Sequence, residues 1–521
     1  MDPLRLSACA LAALLAAATA AARADEAPAP AKLYAEHCAG CHGADRLGAI
    51  GPALLPESLE RLRRPAALQT IAKGRPATQM PPFEGKLSAA ELQQLADYVY
   101  TSPGRVPEWG EAQIRASRLE PAPARPDSAK PVFPADPMNL FVVVETGDHH
   151  ATILDGDRLE PIARFATRFA LHGGPKFSPD GRFVYFASRD GWVTKYDLWN
   201  LRVVAEARAG VNTRNIAVSS DGRYVMAANY LPHTLVVLDA DLKFVKLLEV
   251  RDQAGKKTSR VSAVYDAAPR RSFVAALKDI PEVWEISYDD RAEPIPAGLV
   301  HDFRYKEGAF LPGKLNPRRS VLDETLDDFF FTRNYAEILA TGREGGRGQV
   351  VNLDVRRKIA SVEVPGMPHL ASGITWDWNG RTVLATPNLK EGLVSIIDTG
   401  DWKVVRQIPT LGPGFFLRSH ENTPYAWVDN FMSARRDTLQ VIDKRTLEVV
   451  RELRPAPGKT AAHVEFTADG RYALVSLWET DGAVVVYDAR TLEEVKRLPM
   501  NKPSGKYNVH NKVSRSDGTS H

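Results

Sequence analysis

Cysteine is scarce in this chain of 521 residues, which has three. Cys9 lies in the leading apolar segment, so the rest of the chain has only Cys38 and Cys41. If both are engaged elsewhere, no disulfide framework is left to hold the fold, which must rely on its core and cofactors. A strong charge of either sign is missing too. The formal net charge is +3, which gives no electrostatic argument for nucleic acid or for an anionic membrane surface. Long apolar runs are limited to one, Leu6 to Ala22. With Arg5 before it and Ala22-Arg23-Ala24 closing it, residues 1–24 read as a secretory signal. As a membrane anchor the run is short and lacks a charged stop. The expectation is an exported chain in a bacterial periplasm, with no membrane span after processing.

What the chain does contain begins with Cys38-Ala39-Gly40-Cys41-His42. In Cys-x-x-Cys-His, two thiols can capture both vinyl groups of a heme as thioethers, and the adjacent imidazole lies under the iron as its proximal ligand. A redox dithiol or half of a zinc site could use the same pair of thiols. Neither asks for the following histidine, and there is no second Cys-x-x-Cys. One covalent heme c is expected, held by Cys38, Cys41 and His42.

Helices are expected over residues 31–37 and 88–100. In the second, Ser88 and Glu91 form a capping box, and Leu92, Leu95 and Val99 an apolar stripe. Between them, Gln79-Met80-Pro81-Pro82 is a polar, proline-stiffened loop. Its Met80 thioether is the expected sixth iron ligand and would raise the reduction potential; the alternative is a core methionine. Residues 25–117 are assigned to this small all-α cytochrome domain, and 118–136, rich in Pro, Ala and charge, to a linker.

From 137 to 521 the pattern changes to a recurring unit: an Asp-Gly-Arg-type turn, an apolar strand, a polar turn, a second strand ending in Asp, and a charged third strand. Gly181 and Gly222 are 41 residues apart, and Gly380 and Gly470 are two units apart. With weaker copies near Leu140, Ala263, Asp327 and Tyr425, the count is eight, the pattern of an all-β eight-bladed propeller. Three histidines share one place in that unit, just before or at the start of a blade: His172, His369 and His463. A shared position would bring them together on one face of the ring. The remaining histidines of the unit, among them His301 and His420, lack the pattern and read as structural.

A short cytochrome c followed by such a propeller resembles the cytochrome cd1 family, whose propeller carries a non-covalent heme d1. The resemblance spans nearly all of the chain after residue 24. It rests on Ser178 to Trp199, Arg214, Tyr265-Asp266, His420 with Tyr425 to Asp429, Trp478, and Gly505-Lys506-Tyr507-Asn508-Val509. It implies His172 as the proximal ligand of the d1 iron, with Arg214, Tyr265, Trp478 and Tyr507 around the cofactor.

The chain also departs from the family's nitrite reductases, which use two distal histidines. The first position is expected within Phe310-Leu311-Pro312-Gly313, where Pro312 stands instead of histidine, and only the second, His369, is kept. His463 stands where the reductases have glutamine. This arrangement is similar to the branch of the family that oxidises a propionate of dihydro-heme d1 to the acrylate of heme d1. On that reading His172 and His369 are axial ligands and His463 is the base, with electrons passing to heme c. Implied partners are the tetrapyrrole substrate, a soluble electron acceptor, and a cytochrome cd1 nitrite reductase or another heme d1 biosynthesis protein. A nitrite reductase with a rearranged pocket and a non-catalytic heme d1 carrier are the alternatives.

Overall fold

The computed structural model describes residues 30–49, 51–59, 62–74, 80–104, 108–124, 126–302, 307–342, 346–515 and 517–518. The expected signal segment and Gln79 of the methionine loop lie outside the described residues. Among these residues no helix is long and apolar enough to cross a membrane.

The N-terminal part is helical. Helix α1 (Pro30–His37) runs into α2 (Ala39–His42), a single turn that carries Cys41 and His42. Helix α3 (Arg64–Lys73) has Pro65 in its first turn, where a missing N–H costs nothing. Helix α4 (Ala89–Tyr98) starts on the expected capping box: Ser88 N donates to Glu91 Oε2 at 2.7 Å and Glu91 N to Ser88 Oγ at 3.3 Å. Leu33 and Tyr34 of α1 pack against Leu95 and Val99. Helix α5 (Glu111–Ser117) turns away from this core and buries Ile114 among Tyr185, Ala187 and Val193 of the β part. The segment after α5 lies along one blade, with Leu119 N donating to Glu206 O at 2.8 Å and Val132 N to Trp199 O at 3.0 Å.

The β part is a ring of eight four-stranded antiparallel sheets. The innermost strands of blades 2 to 8 are Lys176–Phe177, Asn212–Val218, Val261–Ala267, Asp328–Phe331, Ile374–Trp378, Leu417–Ser419 and Ala461–Phe466. Blade 1 takes its innermost strand from the other end of the chain: Pro503–Asn508 pairs with Leu140–Glu145, Tyr507 opposite Val142 and Lys506 opposite Val143. Inner strands are buried on both faces, which is why Phe329 and Phe466 can lie at the blade interfaces fully enclosed, as Trp427 does on the second strand of blade 7.

The Asp-Gly-Arg turns are held by side chains that imitate backbone. In the turn of blade 2, Ser178 Oγ accepts from Phe183 N at 2.9 Å while Asp180 Oδ1 accepts from Arg182 N at 3.1 Å. Gly181 there takes φ +69°, a left-handed conformation that favours glycine. Ser219 with Asp221 and Thr467 with Asp469 repeat the device.

All eight inner strands run the same way along the central channel. Their first residues define an entrance face and their last residues an exit face. Helix α6 (Val509–Ser514) follows the last inner strand directly and covers the exit, where Asn511 Nδ2 donates to Glu465 Oε1 at 3.0 Å. The irregular stretch before blade 5 contains a two-stranded hairpin, Ile295–Asp302 with Glu307–Leu311. It departs from the exit end of blade 4, since Lys314 and Arg223, the latter from an exit-face turn, both bond Asp290. Phe310 to Gly313 therefore lie on the exit side, away from the entrance where a distal histidine was expected. The corresponding entrance of blade 5 is occupied by Asp327 and Asp328.

Candidate active site

Cys38 caps the start of α2, which carries Cys41 and His42. His42 is 7 % exposed, and its Nδ1 lies 2.8 Å from Pro52 O. That contact requires a proton on Nδ1 and leaves the Nε2 lone pair for a metal. Gly51 lies flat against the imidazole, and a Cβ there would come within 2.7 Å of His42 Cε1. These features fit a heme c, with Leu54, Leu62, Ile71 and Leu87 as apolar lining. Met80 is half-buried, and its loop is pinned to α3 by Phe83 N donating to Ala72 O at 3.1 Å.

At the entrance of the channel the same device recurs twice. His172 Nδ1 lies 2.7 Å from Arg214 O, and His369 Nδ1 lies 2.6 Å from Phe415 O. All three histidines among the four expected iron ligands thus spend Nδ1 on a backbone carbonyl and present Nε2. At His172 that lone pair faces Arg214 Nη1 at 2.8 Å, so the guanidinium stands where a metal would bind and must swing aside to admit one. Burial holds the proton affinity of His369 down to about 4, so the ring is neutral near pH 7 and able to ligate.

His463 differs. It sits in a β-bulge of blade 8 with φ +51°, 1 % exposed, and its Nε2 has no hydrogen-bond partner. Lys506 holds the loop: its Nζ donates to His463 O and, at 2.9 Å, to Ser476 Oγ. The Lys506 peptide N–H is 3.5 Å from Nδ1, too long to fix the tautomer. Burial, then the charges of Lys506, Arg418 and Lys512, hold the ring's pKa well below 6.5.

Aromatic rings link the histidines. Phe415 lies 4.2 Å from His369, Phe416 4.7 Å from both Phe415 and His463, and Tyr507 5.1 Å from His463. Trp478 supports this wall from behind, 4.9 Å from Phe431 and 6.3 Å from Phe416. Tyr507 also closes on the His172 loop, where a Cβ at Gly174 would come within 3.0 Å of its ring. Tyr265 lies deeper than the expected rim position. Its hydroxyl donates to Asp328 Oδ1 at 3.0 Å, and its ring lines an exit-side cavity of about 410 Å³ together with Lys176, Tyr335, Lys512 and Arg515. Asp328 Oδ2 in turn accepts from Ala371 N at 3.0 Å and so steadies the loop that carries His369.

Phe415, Phe416, Arg418, Lys506 and Asp328 were not singled out by the sequence pattern. The available signal was their place at a blade entrance, the position of the three histidines; Gly412-Pro413-Gly414 ahead of the phenylalanines marks it. His420 is enclosed on the exit side, with Nδ1 accepting from Asn422 N at 3.1 Å; its Nε2, like that of His463, has no hydrogen-bond partner, but it lies away from the entrance.

The interior is rich in cations. Arg214 and Arg418 come from blades 3 and 7, and the Arg418 Nε has no partner, while Lys506 is bonded between blades 1 and 8. An unpartnered buried guanidinium N–H on Arg418, with Arg214 nearby, beside a half-buried aromatic wall suits a flat macrocycle with carboxylates.

A family described as Cytochrome D1 heme domain matches residues 135–512, and one described as Cytochrome C oxidase, cbb3-type, subunit III matches residues 25–99. The chain belongs to the cytochrome cd1 family. A dihydro-heme d1 dehydrogenase of Pseudomonas aeruginosa is 56% identical to this cytochrome cd1 relative over 96% of the chain and 97% of that protein. A solved structure of a dihydro-heme d1 dehydrogenase, NirN, in complex with DHE superposes with a TM-score of 0.86 at 56% identity, covering 93% of this chain and 100% of the other. A nitrite reductase of Stutzerimonas stutzeri is more distant, 25% identical over 96% of each chain.

Proposed function

We propose that this protein is a dihydro-heme d1 dehydrogenase. It removes two hydrogens from a propionate arm of the tetrapyrrole, turning CH2–CH2 into CH=CH and releasing two protons and two electrons. The observation that carries the reading is the orphaned Nε2 of His463, a buried imidazole joined by an aromatic wall to a second ring, His369, whose Nε2 is free to ligate.

In this reading His172 and His369 would hold the substrate's iron, which would also keep small ligands such as nitrite off it. Arg214, released from His172, and Arg418 pair with carboxylates of the macrocycle. Phe415, Phe416 and Tyr507 fix the plane of the ring and exclude water around the arm. His463 takes a proton from the arm at Nε2. Burial first, and then the neighbouring cations, make it a weak base, and carboxylates paired with those cations would offset their part of the effect. The covalent heme c supplies a one-electron acceptor in the same chain. The periplasm is the proposed compartment, a soluble redox protein the proposed final acceptor, and a cytochrome cd1 nitrite reductase or another protein of heme d1 maturation the proposed recipient of the product.

The test is the mass of the tetrapyrrole before and after incubation with the heme c-loaded protein under oxidising conditions. A loss of two hydrogens is expected. An unchanged mass would leave a carrier, and nitric oxide released from nitrite would favour a reductase.

A further inference from the structure

A continuous run of hydrogen bonds and short stretches of backbone joins His172 to His42. His172 Nδ1 donates to Arg214 O at 2.7 Å. One residue back along the strand, Thr213 N donates to Arg189 O at 3.2 Å. The next residue, Asp190, accepts through its carbonyl from Arg208 Nε at 2.8 Å, and Arg208 Nη2 donates to Leu47 O. Gly48 N then donates to His42 O at 2.8 Å. Arg208 is the side chain at which this run crosses from the propeller to the cytochrome.

Its surroundings hold it there. Arg208 is 6 % exposed, its Cζ is 4.6 Å from the Trp109 ring, and its backbone bonds Trp109 Nε1 and Ser117 Oγ, both at 2.8 Å. Beside it Ala53 and Leu55 of the cytochrome bury against Val211 of the propeller. The contact lies on the entrance rim between blades 2 and 3, two and three residues from Thr213 and Arg214 along the chain. Electron tunnelling falls off more slowly along bonds and hydrogen bonds than across van der Waals gaps, so a bonded bridge between two iron-ligating histidines has a direct use.

We propose that Arg208 is a positioning residue that fixes the heme-bearing loop on the entrance rim and completes the bonded route by which electrons leave the channel for the cytochrome. The inference rests on the dehydrogenase reading: two electrons are released per substrate, and they cross singly on their way to a soluble one-electron acceptor. A surface-contact role would need only one hydrogen bond from this side chain. The route uses two, on carbonyls of different domains, which the guanidinium fork can reach together and an ammonium cannot.

The experiment uses full-length, heme c-loaded protein with finished heme d1 bound. Heme c is photoreduced and the passage of the electron to the second iron is followed by absorbance. Hydrogen exchange is measured at Leu47 and Ala53 to Leu55. Arg208→Ala is expected to slow the transfer by about tenfold or more and to raise exchange in the loop, with tetrapyrrole affinity unchanged. Arg208→Lys is expected to keep exchange near the wild-type level while transfer stays slow. A wild-type transfer rate in either variant overturns the proposal. If Arg208→Ala does not fold, Leu55→Ala loosens the same contact from the cytochrome side: slowed transfer supports the proposal, and an unchanged rate overturns it. Because finished heme d1 is used, rapid transfer in the wild type together with no mass change in dihydro-heme d1 would refute the dehydrogenase reading and leave the route standing.

Discussion

His463 combines three properties at one residue: a bulge with a left-handed backbone, a lysine from the closing strand that caps its carbonyl, and a ring nitrogen left without a partner between Phe416 and Tyr507. His463→Ala is expected to bind the tetrapyrrole and to lower its conversion by about 10²- to 10⁴-fold, the usual range for loss of a general base. Undiminished conversion, read by mass, would remove it from the mechanism. The buried lysines make a separate prediction. Burial holds Lys512 at about 7 and Lys176 at about 8, against an ordinary 10.5. Between those values and 10.5 the unfolded chain carries more protons than the folded one. Stability of the tetrapyrrole-free protein is therefore expected to rise as pH climbs from 7 toward 10. Lys512→Met should raise Tm at pH 7 and flatten that rise; a slope as steep as the wild type's would count against it.

At the scale of single elements, the turns and caps were legible because their chemistry is local. Ser-x-Asp-Gly-Arg closes on itself, Ser88 and Glu91 are three residues apart, and three histidines shared one place in a repeat. Lys506 was not legible as a support for His463, because only ring closure brings a residue 43 positions later onto the neighbouring blade. The misplacement of Phe310 to Gly313 has a topological cause: a hairpin inserted on the exit side shifts the repeat, and nothing in its composition says which face it leaves from. The closing strand also carries a prediction. Removing residues 503–521 strips blade 1 of its inner strand, the buried Val509 and the Lys506 clamp, and is expected to cost more than about 4 kcal/mol of stability, measured by denaturant titration. A loss within the range of a surface substitution would mean that three strands suffice to close the ring.

Over the whole molecule, the cytochrome sits on the entrance face of the propeller, the face that carries the histidines, and α6 seals the opposite face. Both ends of the fold were foreseeable from the heme-binding pentapeptide and the period of the repeats, whereas their docking was not: the rim contact is built from Leu47, Leu55, Trp109 and Val211, ordinary apolar residues scattered over two domains. The redox half is testable by itself. Met80→Ala is expected to abolish the methionine-to-iron charge-transfer band of the oxidised heme c and to lower its reduction potential. A spectrum and potential like the wild type's would place the sixth ligand elsewhere.

The ring closes with a strand made after every other blade, and that strand brings Lys506 under the His463 loop and Tyr507 against the His463 ring. A ribosome delivers the heme-binding pentapeptide early and these two residues late. Maturation thus has a built-in order: thioether attachment can precede folding of the β part, while the propeller is closed around its channel only once the polypeptide has been delivered through residue 508.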